Sequence, residues 1–122
     1  MAKKKVTQTT VDFAVLGMQE KKGKQIVKLD LRETSNSVAN YFVICHGTSK
    51  PHIEAIADSV IEFIKTNTGE SPKYKEGFAN AEWILIDYFD VIIHIFQEAT
   101  RRFYKLEDLW GDAEIQYIES DE

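Results

Sequence analysis

The sharpest change of pattern along the chain lies between Trp83 and Trp110, WILIDYFDVIIHIFQEATRRFYKLEDLW. Trp83 to Asp87 is a short β-branched and aromatic run, and Val91 to Phe96 is another. Such runs bounded by polar residues read as strands. Tyr88-Phe89-Asp90 between them is a hairpin-length connection. No Asn-Gly or Gly-X pair marks the turn, so the pattern predicts a loop of three or four residues rather than two. On the second strand Ile92, His94 and Phe96 fall on one face, and Val91, Ile93 and Ile95 on the other. Both faces are apolar, which predicts a strand buried on both sides. From Glu98 the period becomes helical. Phe103, Leu106, Leu109 and Trp110 recur at helix spacing with charges between them, and Gly111 supplies a stop signal.

Upstream, residues 1–5 read as a loose basic tail. Val11, Ala14, Val15 and Met18 then line one face of a first helix, closed by Lys21-Lys22-Gly23-Lys24. Ile26 to Leu31 alternates as a strand, and Tyr41 to Cys45 forms a second. Ser49 is an N-cap candidate, with Pro51 in the first turn. The helix that follows has a broad apolar stripe of Ile53, Ile56, Ala57, Val60, Ile61 and Ile64. Thr66 to Pro72 ends it, and Lys73 to Ala81 has room for one short strand. Residues 113–122 read as an acidic tail after a single domain over 1–112, with space for one more short element around Ile115 to Ile118. The order is α-β-β-α-β-β-β-α. A strand–helix–strand unit inside an otherwise antiparallel set predicts a mixed sheet of about five strands with helices on its faces, an α/β (α+β) sandwich.

Composition narrows the function. The chain has 122 residues and a formal net charge of −5. That charge argues against a general nucleic-acid binder and suits a basic protein partner. No apolar run is long enough to span a membrane. The start, MAKKKVTQTT, has no apolar stretch after its basic cluster and is not a secretory signal. The single Cys45 excludes an internal disulfide framework and a Cys-rich zinc site. A reducing cytoplasmic location is expected.

Several constellations carry two readings. Gly47-Thr48-Ser49 leads from a strand into a helix N-terminus, as a capped turn or an anion-binding loop. It lacks the spacing and the Lys of a P-loop. Asp87 and Asp90 flank the hairpin turn; they serve turn chemistry or hold Mg²⁺. His94 lies among Ile and Phe as a core histidine, without an HxxxH or HxH partner. Cys45 reads as a buried, inert thiol. No nucleophile–base pair is visible, so no catalytic residue and no cofactor is assigned. Trp83, Tyr88, Phe89, Tyr104 and Trp110 are either core or a protein-binding patch, because aromatics beside charges describe interfaces. Arg101 and Arg102 pair with nearby carboxylates or clamp a phosphate.

Three blocks, taken in order, resemble the ribosomal silencing factor (Iojap) family. The first is Tyr41 through Ser49, continuing through His52 to Ile56-Ala57-Asp58. The second is Glu76-Gly77, then Trp83 through Asp87. The third is Asp90 through Phe96, followed by Arg101, Tyr104, Leu106-Glu107 and Leu109-Trp110. The resemblance covers roughly residues 10 to 112. Two positions depart from the family's usual pattern: Asn40 stands where Asp precedes the Tyr-Phe strand, and Phe89 stands where Gly precedes the Asp of the turn.

The resemblance implies a nucleotidyltransferase-like fold without the enzyme's activity. It also implies binding to large-subunit ribosomal protein fourteen, which blocks joining of the small subunit and represses translation. Trp83, Asp87, Tyr88, Phe89 and Asp90, with Arg101 and Tyr104 nearby, are the expected partner-binding residues. The aromatics serve as anchors, and the aspartates meet Lys or Arg on the partner. The alternative from another class is a Mg-dependent nucleotidyltransferase-like enzyme using the Gly47–Ser49 loop and Asp87/Asp90. A third reading is a homodimer held by the same aromatics.

Overall fold

One strand, β2 (Tyr41–Gly47), runs through the middle of the molecule with all seven of its residues buried. The structure, a computed structural model, describes residues 2–34, 39–105, 108 and 113–118. β1 (Lys24–Asp30) lies antiparallel to β2 on one side, and β5 (Val91–Gln97) lies parallel to it on the other. β4 (Trp83–Asp87) pairs antiparallel with β5, and the short β3 (Tyr74–Glu76) forms one edge beside β4. β6 (Glu114–Tyr117) forms the other edge, antiparallel to β1. The sheet thus has six strands, in the order β3-β4-β5-β2-β1-β6.

The sequence pattern predicts about five strands. The added one, β6, comes from the segment expected as an acidic tail. Ala113 and Ile115 there pack against the core on the side of Leu29 and Ile118 against the core under the long helices, so the short element given room around Ile115 to Ile118 is this strand. Otherwise the element order is the predicted one, and the fold is α+β.

Two long helices cover one face of this sheet. α1 (Ala2–Glu20) packs along α2 (Lys50–Thr68). Residues 2–5, expected as a tail, belong to α1; nothing between Ala2 and Val11 breaks a helix. The two helices touch so closely that a Cβ on Gly17 would stand 2.7 Å from the Val60 Cα. Ser59 Oγ donates to the Gly17 carbonyl across the contact (2.8 Å). α2 begins and ends as its sequence signals predict. Ser49 Oγ accepts from the His52 N–H, Pro51 lies in the first turn, and Gly69 closes the helix at φ 80°. The core under these helices takes Val43 and Cys45 from β2, Ile84 and Ile86 from β4, and Ile93 and Ile95 from β5.

The opposite face carries the alternate residues. Among the described residues its helix is the short α3 (Glu98–Tyr104), set against β5 and β2. The helical period predicts a longer element reaching Trp110. Instead, α3 closes at Lys105, which adopts φ 49° and donates its N–H to the Arg101 carbonyl (2.9 Å). Leu106, Leu109, Trp110 and Gly111 lie outside the described residues.

Candidate functional site

The face away from the long helices carries several of the predicted site residues. Register places Trp83, Leu85 and Asp87 of β4 on it, in line with Phe96, His94 and Ile92 of β5. Tyr74 and Glu76 of β3 continue the same rows to the sheet edge. Along β4 burial alternates, with Trp83, Leu85 and Asp87 half-buried and Ile84 and Ile86 buried. Trp83 stacks obliquely on Phe96 (ring centroids 5.0 Å) and on Tyr104 (4.9 Å). Tyr104 and its neighbour Phe103 are exposed, as is Tyr74. Half-buried Ile92 and Leu85 fill the space between, giving an aromatic and apolar ridge along one face. Leu85, Ile92 and Tyr74 were not anticipated as site residues. Period-2 phase finds Leu85 from Trp83 and Ile92 from His94 and Phe96, whereas Tyr74 joins the face only through the pairing of β3 with β4.

The hairpin tip lies at the far end of the same strand. Its connection is the expected three residues, Tyr88-Phe89-Asp90, between the end of β4 at Asp87 and the start of β5 at Val91, with the Tyr88 N–H donating to the Val91 carbonyl (2.9 Å). The connection contains no glycine. Phe89 itself adopts φ 81°, the conformation glycine would supply. The Asp90 N–H donates to the Tyr88 carbonyl (3.0 Å), which makes Phe89 the centre of a γ-turn of positive φ, the strained kind. Asp87 Oδ1 accepts the Phe89 N–H (2.7 Å) and braces that turn. Phe89 is 69% exposed. The Asp90 carbonyl accepts from the N–H groups of Asn40 and Tyr41, tying the tip to the start of β2.

Two of the expected contact residues lie inside. Tyr88 is buried on the side of the long helices. Burial there raises its phenol pKa, with the Glu70 carboxylate adding to the effect. Arg101 is only 6% exposed and reaches under α3 to donate to His46 Nδ1 (3.0 Å) and to the Lys24 carbonyl (3.4 Å). Burial, with the Arg101 charge second, holds the His46 pKa below its ordinary value. The structure therefore brings Trp83 and Tyr104 into contact at one end of the face. It gathers Asp87, Phe89 and Asp90 at the other end, and uses Tyr88 and Arg101 as internal supports.

The arrangement the enzyme alternative needs is not assembled. Gly47 pairs with Gln97 at one end of β5, whereas Asp87 pairs with Ile92 at the other. Five residues of strand separate those levels, roughly 16 Å. The loop's own groups are engaged: the Thr48 N–H donates to His52 Nδ1 (3.0 Å), and Ser49 caps α2. Among the described residues no group of three or more His, Cys, Asp or Glu could hold a metal ion. Burial pushes the Cys45 thiol up to about 12, so it stays protonated and unreactive. No described helix is long and apolar enough to cross a membrane.

Comparison with known proteins places this geometry. The model of the family described as "Ribosomal silencing factor during starvation" matches residues 4–122. The chain belongs to the ribosomal silencing factor family. A ribosomal silencing factor of Halalkalibacterium halodurans is 38% identical over 112 residues, covering 92% of this chain and 94% of that protein. One of Bacillus subtilis is 40% identical over 103 residues, covering 84% and 86%. A crystal structure of a protein from Chromobacterium violaceum superposes with a TM-score of 0.80 at 28% identity, covering 94% of this chain and 95% of that one. Membership of the ribosomal silencing factor family brings translation regulation and association with the ribosome.

Proposed function

We propose that this protein represses translation by binding large-subunit ribosomal protein fourteen and excluding the small subunit sterically. The observation that carries the reading is the ridge on the sheet face away from the long helices. Trp83 and Tyr104 form its anchor, Leu85 and Ile92 its apolar floor, and Asp87, Phe89 and Asp90 its hairpin end. A rigid aromatic anchor on a strand, rimmed by carboxylates, has the chemistry of a contact for a basic protein. The net charge of −5 favours the same class of partner. Tyr88 and Arg101 support this contact from beneath rather than touching the partner. The same ridge is the surface a homodimer would use, so self-association and ribosome binding would compete for it. The work is done in the cytoplasm, where ribosomal subunits meet.

Sucrose-gradient sedimentation with isolated subunits tests the reading. The protein is expected to co-migrate with the large subunit alone and to lower the fraction of joined ribosomes, and Trp83→Ala is expected to abolish both effects. Absence from the large subunit overturns the function. Undiminished binding by Trp83→Ala overturns the contact face.

A further inference from the structure

Trp83 Nε1–H donates to Nδ1 of His94 across 3.0 Å. An indole nitrogen is a donor only, so the imidazole must accept at that nitrogen and carry no proton there. His94 is 4% exposed, packed edge-on to Phe42 (ring centroids 4.6 Å) and stacked above Phe96 (6.2 Å). Burial holds its pKa down to about 3, so the ring is neutral at physiological pH and its proton sits on Nε2. That Nε2–H has no hydrogen-bond partner among the described residues. Leu or Phe would fill the space without burying any polar group. What His94 adds over an apolar residue is an acceptor for Trp83.

The lock matters because Trp83 is only half-buried. With its N–H free, the indole could satisfy itself with water and turn away from Tyr104. With its N–H held by His94, the ring plane is set between Phe96 and Tyr104 before any partner arrives, which removes an ordering cost from binding. The N–H is also spent internally. The ring therefore offers a partner its apolar surface and π-face, not a donor. An aliphatic stem ending in a Lys or Arg charge matches that surface, since cations are attracted to an indole face.

We propose that His94 is a positioning residue that locks the Trp83 indole to receive a Lys or Arg side chain of the protein partner. This rests on the contact face proposed above. The test combines three variants with a spectrum of the unmodified protein. His94→Phe keeps a ring but removes the acceptor; His94→Asn places an oxygen near where Nδ1 stood. The expected result for His94→Phe is a folded protein whose Trp83 indole N–H resonance moves toward that of a water-exposed indole. Its affinity for purified large subunits should fall about tenfold, the scale of one lost hydrogen bond. His94→Asn should keep both the resonance and the affinity. In the unmodified protein the ¹⁵N resonances of His94 should be those of a neutral ring protonated at Nε2. A ring protonated at Nδ1 overturns the lock without any variant. Wild-type binding by His94→Phe, with binding lost in Trp83→Ala, overturns the role of His94 and leaves the contact face standing. Wild-type binding by Trp83→Ala removes the contact face and this proposal together.

Discussion

The carboxylate of Asp87 holds the backbone of Phe89 by a 2.7 Å hydrogen bond, and Phe89 is a bulky residue at φ 81°. A side chain in that region costs about 1–2 kcal/mol, and replacing it with glycine gives back about 0.5–1 kcal/mol as lost entropy. Phe89→Gly is therefore expected to stabilise the fold by up to about 1 kcal/mol and raise the melting temperature by a few degrees. It also deletes a largely exposed phenyl at the hairpin end of the proposed contact. Thermal unfolding and subunit co-sedimentation should thus move in opposite directions, with a higher midpoint and weaker binding. A lower midpoint would mean that the phenyl packs more than its exposure indicates.

Arg101 predicts a stability defect rather than a contact defect. Its guanidinium donates to His46 and to the Lys24 carbonyl from a buried position. Arg101→Met keeps much of the packing but leaves those acceptors without their donor, at about 1–3 kcal/mol for each group that stays dry. Urea unfolding should show a loss of about 2–4 kcal/mol, while protein that remains folded still sediments with large subunits. Unchanged stability with lost binding would instead return Arg101 to the contact surface.

Most of the scaffold was legible because its signals are local and redundant. The stripe from Ile53 to Ile64, the Ser49 cap and Pro51 in the first turn each mark α2 independently. The two apolar faces of β5 told of its central place before any pairing was known. β6 was legible only as room for a short element around Ile115 to Ile118, because its strand character comes from pairing with β1 rather than from its own residues. The length of the hairpin connection was legible, but the positive φ on Phe89 was not, because it is a tertiary compromise held by Asp87 and by the ties from Asp90 to β2. At the site, Trp83 and Tyr104 were readable as aromatics, but their contact was not. Tyr88 and Arg101 were misleading for one reason: interface-rich residue types are also used to fill and brace interiors, and only register decides which.

Gly17 offers a check on the helical layer alone. A methyl group there would meet the Val60 backbone at 2.7 Å, and it would press on the segment whose carbonyl accepts from Ser59. Alanine is the better helix former, so an isolated helix would gain nearly 1 kcal/mol. The clash is with backbone and cannot be relieved by a rotamer change, so overpacking of about 1–3 kcal/mol should win. Gly17→Ala is expected to lower the unfolding midpoint while ribosome binding by the folded fraction is unchanged, since α1 lies on the opposite face. An unchanged or raised midpoint would show that α1 can shift along α2 at little cost.

The buried histidines make the fold acid-sensitive in a calculable direction. His94 has a folded pKa of about 3 against an ordinary 6.5, because burial disfavours its charged form. His46 is lowered as well, by burial first and then by Arg101. The unfolded chain therefore binds protons more readily than the native one below pH 6.5. Stability is fully present above 6.5 and is lost as pH falls toward the folded values. At pH 5 the His94 contribution alone is a loss of roughly 2 kcal/mol, since each pH unit between the two values is worth about 1.4 kcal/mol. Thermal unfolding followed at pH 7.5, 6 and 5 should show the midpoint falling mainly below 6.5. His94→Asn should flatten much of that decline, leaving the part that belongs to His46. Equal declines in the two proteins would mean that His94 is reached by water in the native state, and with it the dry lock on Trp83 would be gone.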